Sequence, residues 1–372
     1  MAYEIVPYAP EFEPQIIQLQ THLWGAGTAR NAAYLRWKYA ANPFFDDILM
    51  PLALCDRRVV AMRGLCGTRW EVDDSTGRYL LPYADDFVVA PEHRNRGPAS
   101  LVMHAALAEG TQRGFPYALS LSASPVTFVS SVAAGWRSAG TYESVSRRRT
   151  ASLRERVERR IRKLPGFDRV APWWRTLQGR GIRRPFAHLD ARAGAGPMSV
   201  SAAPRSEAMA ALIERLPWDG RIRHVRDVSY LTWRFRNPLH EYRFVYWDDG
   251  RGLRGYLVLQ RYLSKRADTG CVNIVDWEAA DEHVRAELLR AALQWGRFPR
   301  VHTWAVGRDD ATRTLLRDQG FVAEQRTGVR QQSGLLIHPL GHTPASAVWQ
   351  LGRRDLLRIA DWDPRMLYSM AG

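Results

Sequence analysis

The hydrophobic pattern changes its period along the chain in the same order twice. Apolar and polar residues alternate in a short run near the start of each half, "YEIVPY" at 3–8 and "MSVSAA" at 198–203. Apolar residues then recur at helical spacing in "FEPQIIQLQTHLW" (12–24) and in "SEAMAALIERL" (206–216). A period of two indicates a strand, and a period near 3.6 indicates an amphipathic helix. Each half is therefore predicted to begin with a strand followed by a helix.

The middle of each half reads as a β-hairpin followed by alternating strands and helices. Apolar β-type runs at 52–55 and 59–67 flank a polar turn at 56–58, and similar runs at 242–247 and 253–263 flank "DDGRG". Each hairpin precedes a strand, a helix, a second strand, a short helix and a last strand that completes the unit. Hairpins early and βαβ-type connections late predict an α+β fold.

Short segments of the two halves also match each other at offsets near 190 residues. Four ordered pairs share residue patterns: 34–43 with 230–238 (both Tyr-Leu-x-Trp-basic-aromatic, then Asn-Pro), Arg63-Gly64 with Arg254-Gly255, 85–107 with 275–293, and 124–136 with 309–321. Because chance agreement in four ordered pairs is improbable, the pattern indicates a tandem duplication. It divides the chain into a first unit at 1–149, a basic linker at 150–197 and a second unit at 198–372.

Two aromatic pairs recur in both copies. Tyr34 and Trp37 are three residues apart on a predicted helix, as are Tyr230 and Trp233. Aromatic side chains at this spacing lie on one helix face and more often form core than a binding site. We therefore predict that these four residues pack.

The stretch "VVAPEHRNRGPAS" (88–100) joins a predicted strand to a predicted helix. A helix that begins at Pro98 leaves backbone N–H groups without partners at its N-terminus, where the helix dipole is positive. Gly97 permits a close approach of the backbone to a ligand, and Arg94 and Arg96 add positive charge. The stretch therefore predicts an anion site, and phosphate groups are the common occupants of such sites.

The hexapeptide "RNRGPA" (94–99) resembles the Arg/Gln-x-x-Gly-x-Gly/Ala signature of the GCN5-related N-acetyltransferases, the GNAT superfamily. The preceding "DDFVVAPEH" (85–93) and the later "SPVTFVSSVAAGW" (124–136) resemble the strand and the second motif of that family. The resemblance covers about 3–149 and, more weakly, 198–330. It implies two tandem GNAT-like domains, each a mixed, centrally splayed sheet flanked by helices.

The resemblance implies that the first unit binds acetyl-CoA or another acyl-CoA as co-substrate. In the family this loop holds the pyrophosphate, and the strand before it meets the pantetheine arm. An N–H near Val88 or Val89 would polarise the thioester carbonyl. The residues that the family pattern assigns to the coenzyme are Phe87, Val88, Val89, Arg94, Asn95, Arg96, Gly97, Ala99 and Ser124. Pro98 has no N–H, so one amide that many members offer is missing.

Candidate catalytic groups lie just before this strand segment and after the second motif. Asp85 or Asp86 would act as the base that keeps the acceptor amine neutral. Since neighbouring side chains on a strand point to opposite faces, we expect at most one of the two to line the cleft. The usual tyrosine acid is replaced by Ser131, and Tyr142, or alternatively Tyr83, is the candidate substitute.

The second copy departs from the pattern at the phosphate loop. The segment "DEHVRAELL" (281–289) has no glycine, four residues are missing, and Glu287 aligns with Gly97. A carboxylate there would repel a pyrophosphate. We therefore expect the second unit to keep the fold without binding coenzyme and to shape the acceptor pocket.

Basic residues are concentrated around the linker. The chain has a formal net charge of +15, and 147–197 contains fifteen basic and four acidic residues. The apolar stripe in "SLRERVERRIRKL" (152–164) fits a solvated interdomain helix, and it also fits peripheral contact of 151–185 with an anionic membrane. Fifteen basic residues could attract nucleic acid electrostatically, but without a recognition motif no specific nucleic acid is expected.

Other chemistry is not indicated. Cys55, Cys66 and Cys271 lack a zinc or disulfide spacing, and no metal motif is present, so no metal is expected. The N-terminal residues lack the pattern of a secretory signal, and the expectation is a cytoplasmic protein.

The sequence thus predicts an N-acyltransferase, in particular an acetyltransferase, that moves an acyl group from acyl-CoA to a primary amine on a small metabolite or amino sugar. Two alternatives stay open. One is an aminoacyl-tRNA-dependent peptidyl-type transferase on a doubled GNAT fold, which would use the basic linker. The other is a non-catalytic acyl-CoA-sensing or scaffold protein, which the Ser131 departure allows.

Overall fold

The structure is a computed structural model. It describes residues 2–25, 27–72, 77–121, 125–149, 186–192, 196–263, 271–324, 334–341 and 349–369. Ser124 and most of the basic linker, including the predicted amphipathic helix, lie outside the described residues. No helix among the residues that are described is both long enough and apolar enough to span a membrane.

The first half has the order of strands and helices that the hydrophobic periods predict. Its strands are β1 (Glu4–Val6), β2 (Leu52–Cys55), β3 (Arg58–Val72), β4 (Gly77–Val89), β5 (Tyr117–Ser120), β6 (Arg137–Thr141) and β7 (Ser144–Arg148). Its helices are α1 (Glu13–Trp24), α2 (Thr28–Leu35), α3 (Pro98–Gln112) and α4 (Pro125–Ala133), with a π-helical turn at Arg36–Ala40.

The second half repeats this order. A short helix α5 (Ala187–Asp190) precedes it. Its strands are β8 (Met198–Ser201), β9 (Arg223–His224), β10 (His240–Asp248), β11 (Leu253–Tyr262), β12 (Cys271–Ala279), β13 (Arg300–Trp304), β14 (Val322–Ala323) and β15 (Gly334–Pro339), then the hairpin β16 (Gln350–Leu351) and β17 (Arg354–Asp355). Its helices are α6 (Ser206–Arg215), α7 (Val228–Arg234), α8 (Glu282–Gly296) and α9 (Asp310–Asp318).

Apart from the hairpin β16–β17, the described strands form two mixed sheets, each of which includes strands from both halves. The first sheet has the order β1-β2-β3-β4-β5-β15-β6, with β9 beside β3, and the second has the order β14-β7-β13-β12-β11-β10-β8. Thus β15 of the second half lies between β5 and β6, where Leu336 pairs with Ser120, and β7 of the first half pairs with β13. The strand that follows the short helix of each unit, β6 or β14, lies at the edge of that unit's own sheet, whereas β7 and β15 lie in the sheet of the other half. The predicted boundaries at 149 and 198 stay predictions.

The repeated tryptophans lie where the two halves meet. Trp37 and Trp233 stack with ring centroids 4.8 Å apart and planes 10° apart. Each indole Nε1 donates to the backbone carbonyl of the other tryptophan at 2.7 Å. Tyr34 and Tyr230 are fully buried beside them. The prediction that the repeated aromatic residues pack is confirmed, and the reciprocal hydrogen bonds join the matching tryptophans of the two copies.

Candidate functional site

Strands β4 and β5 pair only briefly in the first sheet. Within the described residues the two strands share one register pair, Tyr83 with Leu119. Beyond this pair β4 continues to Val89 with β3 on its other side, where Met62 pairs with Val88 and Ala61 with Val89. Beyond Tyr83 no other described strand pairs with β4 on the β5 side, so the backbone of Phe87–Val89 can pair there with an extended ligand, except at the Val89 carbonyl, which accepts from Arg94.

The loop after β4 leads into the N-terminus of α3 without a side-chain cap. Gly97 is the N-cap residue at φ +98°, and a Cβ atom added there would meet nothing within 4 Å. In the described part of the chain, the backbone amides of Asn95, Gly97 and Ala99 donate no hydrogen bond. These amides and the helix dipole make the loop a site for an anion.

Basic side chains border the loop. Arg94 and Arg96 are exposed, and Arg94 Nε donates to the carbonyl of Val89 at 3.3 Å. Asn95 adopts φ +59°, a left-handed conformation that turns the backbone towards the helix. His93 packs edge-on against Tyr3, whose hydroxyl lies 3.1 Å from its Nδ1. His93 thus helps to hold the turn in place.

A bulge in β4 brings the two neighbouring acids to one side of the strand. Asp86 has φ +50°, and Arg63 of β3 faces both Asp86 and Phe87 because the register shifts between Met62 and Gly64. Lys38 Nζ lies 2.6 Å from Asp85 Oδ2 and 3.2 Å from Asp86 Oδ2. The expectation that the two side chains face opposite sides is wrong, because the extra residue of a bulge breaks the alternation.

Lys38 is completely buried at the centre of this cluster. Its ammonium donates to the Tyr34 hydroxyl at 3.0 Å and lies 5.5 Å from the ring centroid of Tyr39. Burial lowers the pKa of Lys38, but the two carboxylates outweigh this effect and hold the pKa well above its usual range. The cluster therefore has one cation between two carboxyl groups.

The two carboxyl groups differ in exposure, and burial acts on the pKa of Asp86. The Asp85 side chain is 14% exposed, whereas that of Asp86 is fully buried. Burial raises the pKa of Asp86 to about 6; Lys38 opposes this shift and the charge of Asp85 adds to it. Tyr39 donates to Asp86 Oδ2 at 2.9 Å, and within the described residues Asp86 Oδ1 has no partner. Asp85 is thus the carboxylate that an acceptor can reach, and Asp86 modulates its charge.

Sequence reasoning missed Lys38, Tyr39 and Arg63. One signal was present, because Lys38 is a lysine in an arginine-rich chain and lies in the repeated segment 34–43. Arg63 is buried, donates to the Ala84 carbonyl at 3.2 Å and has its guanidinium 5.2 Å from the Phe87 ring. It fixes the bulged strand from the β3 side.

Tyr142 does not join the acids. It lies after β6, which β5 and β15 separate from β4. Its ring stacks on Trp304 of the second half at 4.0 Å, and its buried hydroxyl has no partner among the described residues. Burial raises its pKa far above the usual value. The assignment of Tyr142 as the catalytic acid is therefore corrected to a packing residue. Ser131 is also fully buried, and the Tyr83 ring packs 5.8 Å from Lys38 Nζ.

We expect Tyr142→Phe to keep at least half of any acyl-transfer activity that the unmodified protein shows. The substitution removes a buried hydroxyl without a partner and leaves the stack on Trp304 in place. Initial rates of thiol release measure this result. A loss of 100-fold or more at unchanged melting temperature would return Tyr142 to the catalytic machinery.

In the second half a side chain caps the helix that matches α3. This helix, α8, begins after Asp281, whose carboxylate accepts from the Val284 amide at 2.8 Å. Asp281, as the N-cap, corresponds to Gly97, and the alignment of Glu287 with Gly97 is wrong because Glu287 lies inside α8. The chain's own carboxylate therefore occupies the helix N-terminus that an anion would use.

The C-terminal tail also fills the opening of the second sheet. Strands β12 and β13 pair only from Cys271 to Asn273 within the described residues, and the turn Met366–Tyr368 contacts β12 beyond that point. Arg365 lies 2.8 Å from Asp276 and 2.8 Å from Glu278. The expectation that the second unit does not bind coenzyme stays a prediction.

Metal chemistry finds no support in the described ranges. No group of three or more His, Cys, Asp or Glu side chains there is close enough together to hold a metal ion.

Comparison with known proteins identifies a family domain in the second half. Residues 218–331 match the model of the family described as an acetyltransferase (GNAT) domain. No curated protein matches the chain.

Solved structures extend the similarity over most of the chain. A probable N-acyltransferase from Enterococcus faecalis aligns with 91% of this chain and 73% of its own at 12% identity and a TM-score of 0.57. A GCN5-related N-acetyltransferase from Anabaena variabilis aligns with 90% of this chain and 72% of its own at 11% identity and a TM-score of 0.55.

A tandem GNAT protein from the clavulanic acid biosynthesis pathway aligns over its whole length with 92% of this chain, at 14% identity and a TM-score of 0.53. At such identities these likenesses establish the fold. The chain thus has the fold of these structures, and its match to the GNAT domain model lies in the second half, at residues 218–331.

Proposed function

We propose that the first half binds acyl-CoA and transfers its acyl group to a primary amine. The observation that carries this proposal is the juxtaposition of three features along β4. These are the opening towards β5, the uncapped α3 N-terminus that follows, and the Lys38–Asp85–Asp86 cluster just before it. The GNAT match of the other half supports the same reaction class.

The coenzyme is proposed to lie along β4. Its diphosphate would accept hydrogen bonds from the free amides of Asn95, Gly97 and Ala99, with Arg94 and Arg96 adding charge at the rim. Its pantetheine arm would pair with the open edge of Phe87–Val89. The N–H of Val88 or Val89 would then stabilise the oxyanion that forms as the thioester carbonyl is attacked.

The acceptor is proposed to enter on the side of Asp85. The amine nitrogen forms a bond to the thioester carbon, the C–S bond breaks, and coenzyme A leaves as its thiolate. The proton from the attacking nitrogen passes to the Asp85 carboxylate, which is the more exposed of the two acids. Lys38 positions Asp85 through their ion pair. Its positive charge also reduces the repulsion between the adjacent carboxylates of Asp85 and Asp86.

The second half would supply part of the acceptor wall. Arg30 donates to the carbonyl of Leu263 at 2.7 Å, and this hydrogen bond joins α2 to the residue after β11. The charges of Asp86 and Asp85 add to burial in raising the pKa of the nearby Tyr262. A net negative cluster beside an aromatic wall fits a cationic amine on a small metabolite or amino sugar.

The test is thiol release from acetyl-CoA in the presence of a panel of primary amines. We expect release that depends on both substrates, with kcat/KM falling as the pH drops below about 6, because protonation of Asp86 changes the charge of the cluster that holds the proposed base. Asp86→Asn should keep low activity, and its kcat/KM should no longer fall as the pH drops below about 6. A pH profile of the unmodified protein that is flat from pH 5 to 8 would contradict the proposed role of the acid pair.

Binding without turnover distinguishes the sensing alternative. If acetyl-CoA raises the melting temperature and no amine in the panel releases thiol, the first half is an acyl-CoA-binding module and the proposed transfer fails. A matched preparation of Asp85→Asn shows whether any observed release depends on the site.

A further inference from the structure

A second cavity lies in the second half, apart from the cluster of the first. Its volume is about 270 Å³, and it is bordered by the segment 216–226, the loop 307–309 and the tail residues Asp363 and Arg365. Drug-sized ligands occupy pockets of about 300–1,000 Å³. The cavity therefore suits a small molecule and is too small for a coenzyme.

Arginine dominates the lining of this cavity. The lining arginines are Arg221, Arg223, Arg226, Arg285, Arg308 and Arg365, against four carboxylates. Five of these arginines have an ion partner: Arg221 with Asp219 at 2.5 Å, Arg223 with Glu71 at 2.6 Å, Arg226 with Asp276 at 3.0 Å, Arg285 with Asp309 at 3.8 Å and Arg365 with Asp363 at 2.8 Å.

Arg308 is the exception. In the part of the chain that the structure describes, its guanidinium has no carboxylate within ion-pair distance and donates no hydrogen bond, although the residue is partly buried. Burial and the nearby charge of Arg365 lower its pKa to about 10. A guanidinium with five N–H donors in such a place is destabilising unless an acceptor pairs with it.

The other lining residues of the cavity restrict the kind of ligand that can pair with Arg308. Ile213, Leu216 and Trp218 form an apolar side, and the guanidinium of Arg223 covers the Trp218 ring at 4.4 Å. The four carboxylates of the cavity pair with other arginines, and among the described residues none lies within ion-pair distance of Arg308, so its guanidinium is left to donate to a ligand. An oxyanion with a short apolar part matches both the apolar side of the cavity and the Arg308 guanidinium.

We propose that this cavity, the Arg308 pocket, binds a small organic oxyanion, either a carboxylate or a phosphate monoester, through the Arg308 guanidinium. The apolar part of the ligand contacts Leu216 and Trp218. The pocket opens to solvent beside Asp219, which is 54% exposed, so a ligand can enter without unfolding the tail. This proposal does not depend on acyl transfer in the first half.

The experiment measures thermal unfolding of the full chain with propionate, inorganic phosphate or chloride at constant ionic strength. We expect a saturable rise in melting temperature with propionate or phosphate and none with chloride. A response to propionate alone identifies carboxylates, and a response to phosphate alone identifies phosphates. In Arg308→Gln the apparent Kd should be weaker by about tenfold or more, as for a lost charge-assisted hydrogen bond.

The variant also separates a ligand role from a structural one. Without added anion, Arg308→Gln should unfold at the same temperature as the unmodified protein or higher, because it removes an unpaired cation. Arg317→Gln, an exposed arginine on α9 whose guanidinium contacts Thr314, is the matched control and should keep the anion response. A lower melting temperature of Arg308→Gln without anion, or equal anion responses in both variants, would overturn the proposal.

Discussion

Replacing Gly97 with glutamate is expected to abolish coenzyme A binding by the first half. Gly97 is the uncapped N-cap of α3, and its φ of +98° and the open space at its Cβ leave the amides of the loop accessible. A glutamate there would place a carboxylate where the diphosphate is proposed to bind, as Asp281 does at the matching helix of the second half. Thermal shift with millimolar coenzyme A, and titration calorimetry, measure the loss.

The other end of the same helix offers a matched control. Gly114 also has a positive φ, +74°, and its Cβ would also meet nothing within 4 Å. Gly114→Glu therefore adds the same charge and the same backbone strain, about 1 kcal/mol or more, about 20 Å from the loop. We expect it to bind coenzyme A like the unmodified protein. Equal binding by the Gly97 and Gly114 variants would show that the loop is misassigned.

Replacing Lys38 with methionine is expected to cause the largest loss of stability of any single substitution discussed. The change leaves Asp85 and Asp86 side by side in a buried site without their shared counter-charge. Removing one partner of a buried ion pair costs about 3–5 kcal/mol. Urea denaturation at pH 7.5 measures the free energy of unfolding, and the loss should shrink at pH 5, where Asp86 is protonated.

Two further variants test the cause of that loss. Lys38→Met combined with Asp86→Asn removes the cation and one acid together, and should recover part of the stability. Arg36→Met removes a cation two residues away whose side chain is 68% exposed and pairs with Glu13. It should cost less than about 1 kcal/mol. If Lys38→Met costs no more than Arg36→Met, the buried cluster is not held by this charge.

The sequence predicts the parts of this protein that depend on local pattern. The duplication, the order of strands and helices, and the loop at 94–99 all follow from residue spacing, and the structure has each of them. The strand exchange does not follow, because β7 and β15 are short runs whose pattern fits either sheet. Which sheet each strand joins is decided by the packing of the two halves against each other.

The candidate site also combines a feature that local sequence predicts with one that depends on contacts between distant segments. The uncapped N-terminus of α3 was predictable, since Gly97 and Pro98 define it locally. The shared contact of Asp85 and Asp86 with Lys38 was not, because it needs a bulge at a residue with φ +50° and a lysine from the π-helical turn of another segment. Neither feature has a spacing signature in the sequence.

The contrast between the two halves explains why one fold can be used twice with different outcomes. Lys38 in the first half holds two acids beside an open strand edge, whereas the matching Arg234 donates to the carbonyls of Leu367 and Ser369 in the tail. The tail in turn lies in the opening of the second sheet. The matching positions 38 and 234 therefore differ in their partners: Lys38 binds two acids of β4, and Arg234 binds the tail.

Titration calorimetry of the full chain with coenzyme A, followed by a crystal structure of the complex, would show which half holds the coenzyme. We expect one molecule per chain, with its diphosphate on the amides of 95–99 and its pantetheine arm between β4 and β5. A coenzyme lodged between β12 and β13 in place of the tail, or a first-half loop left empty at saturating ligand, would contradict this expectation.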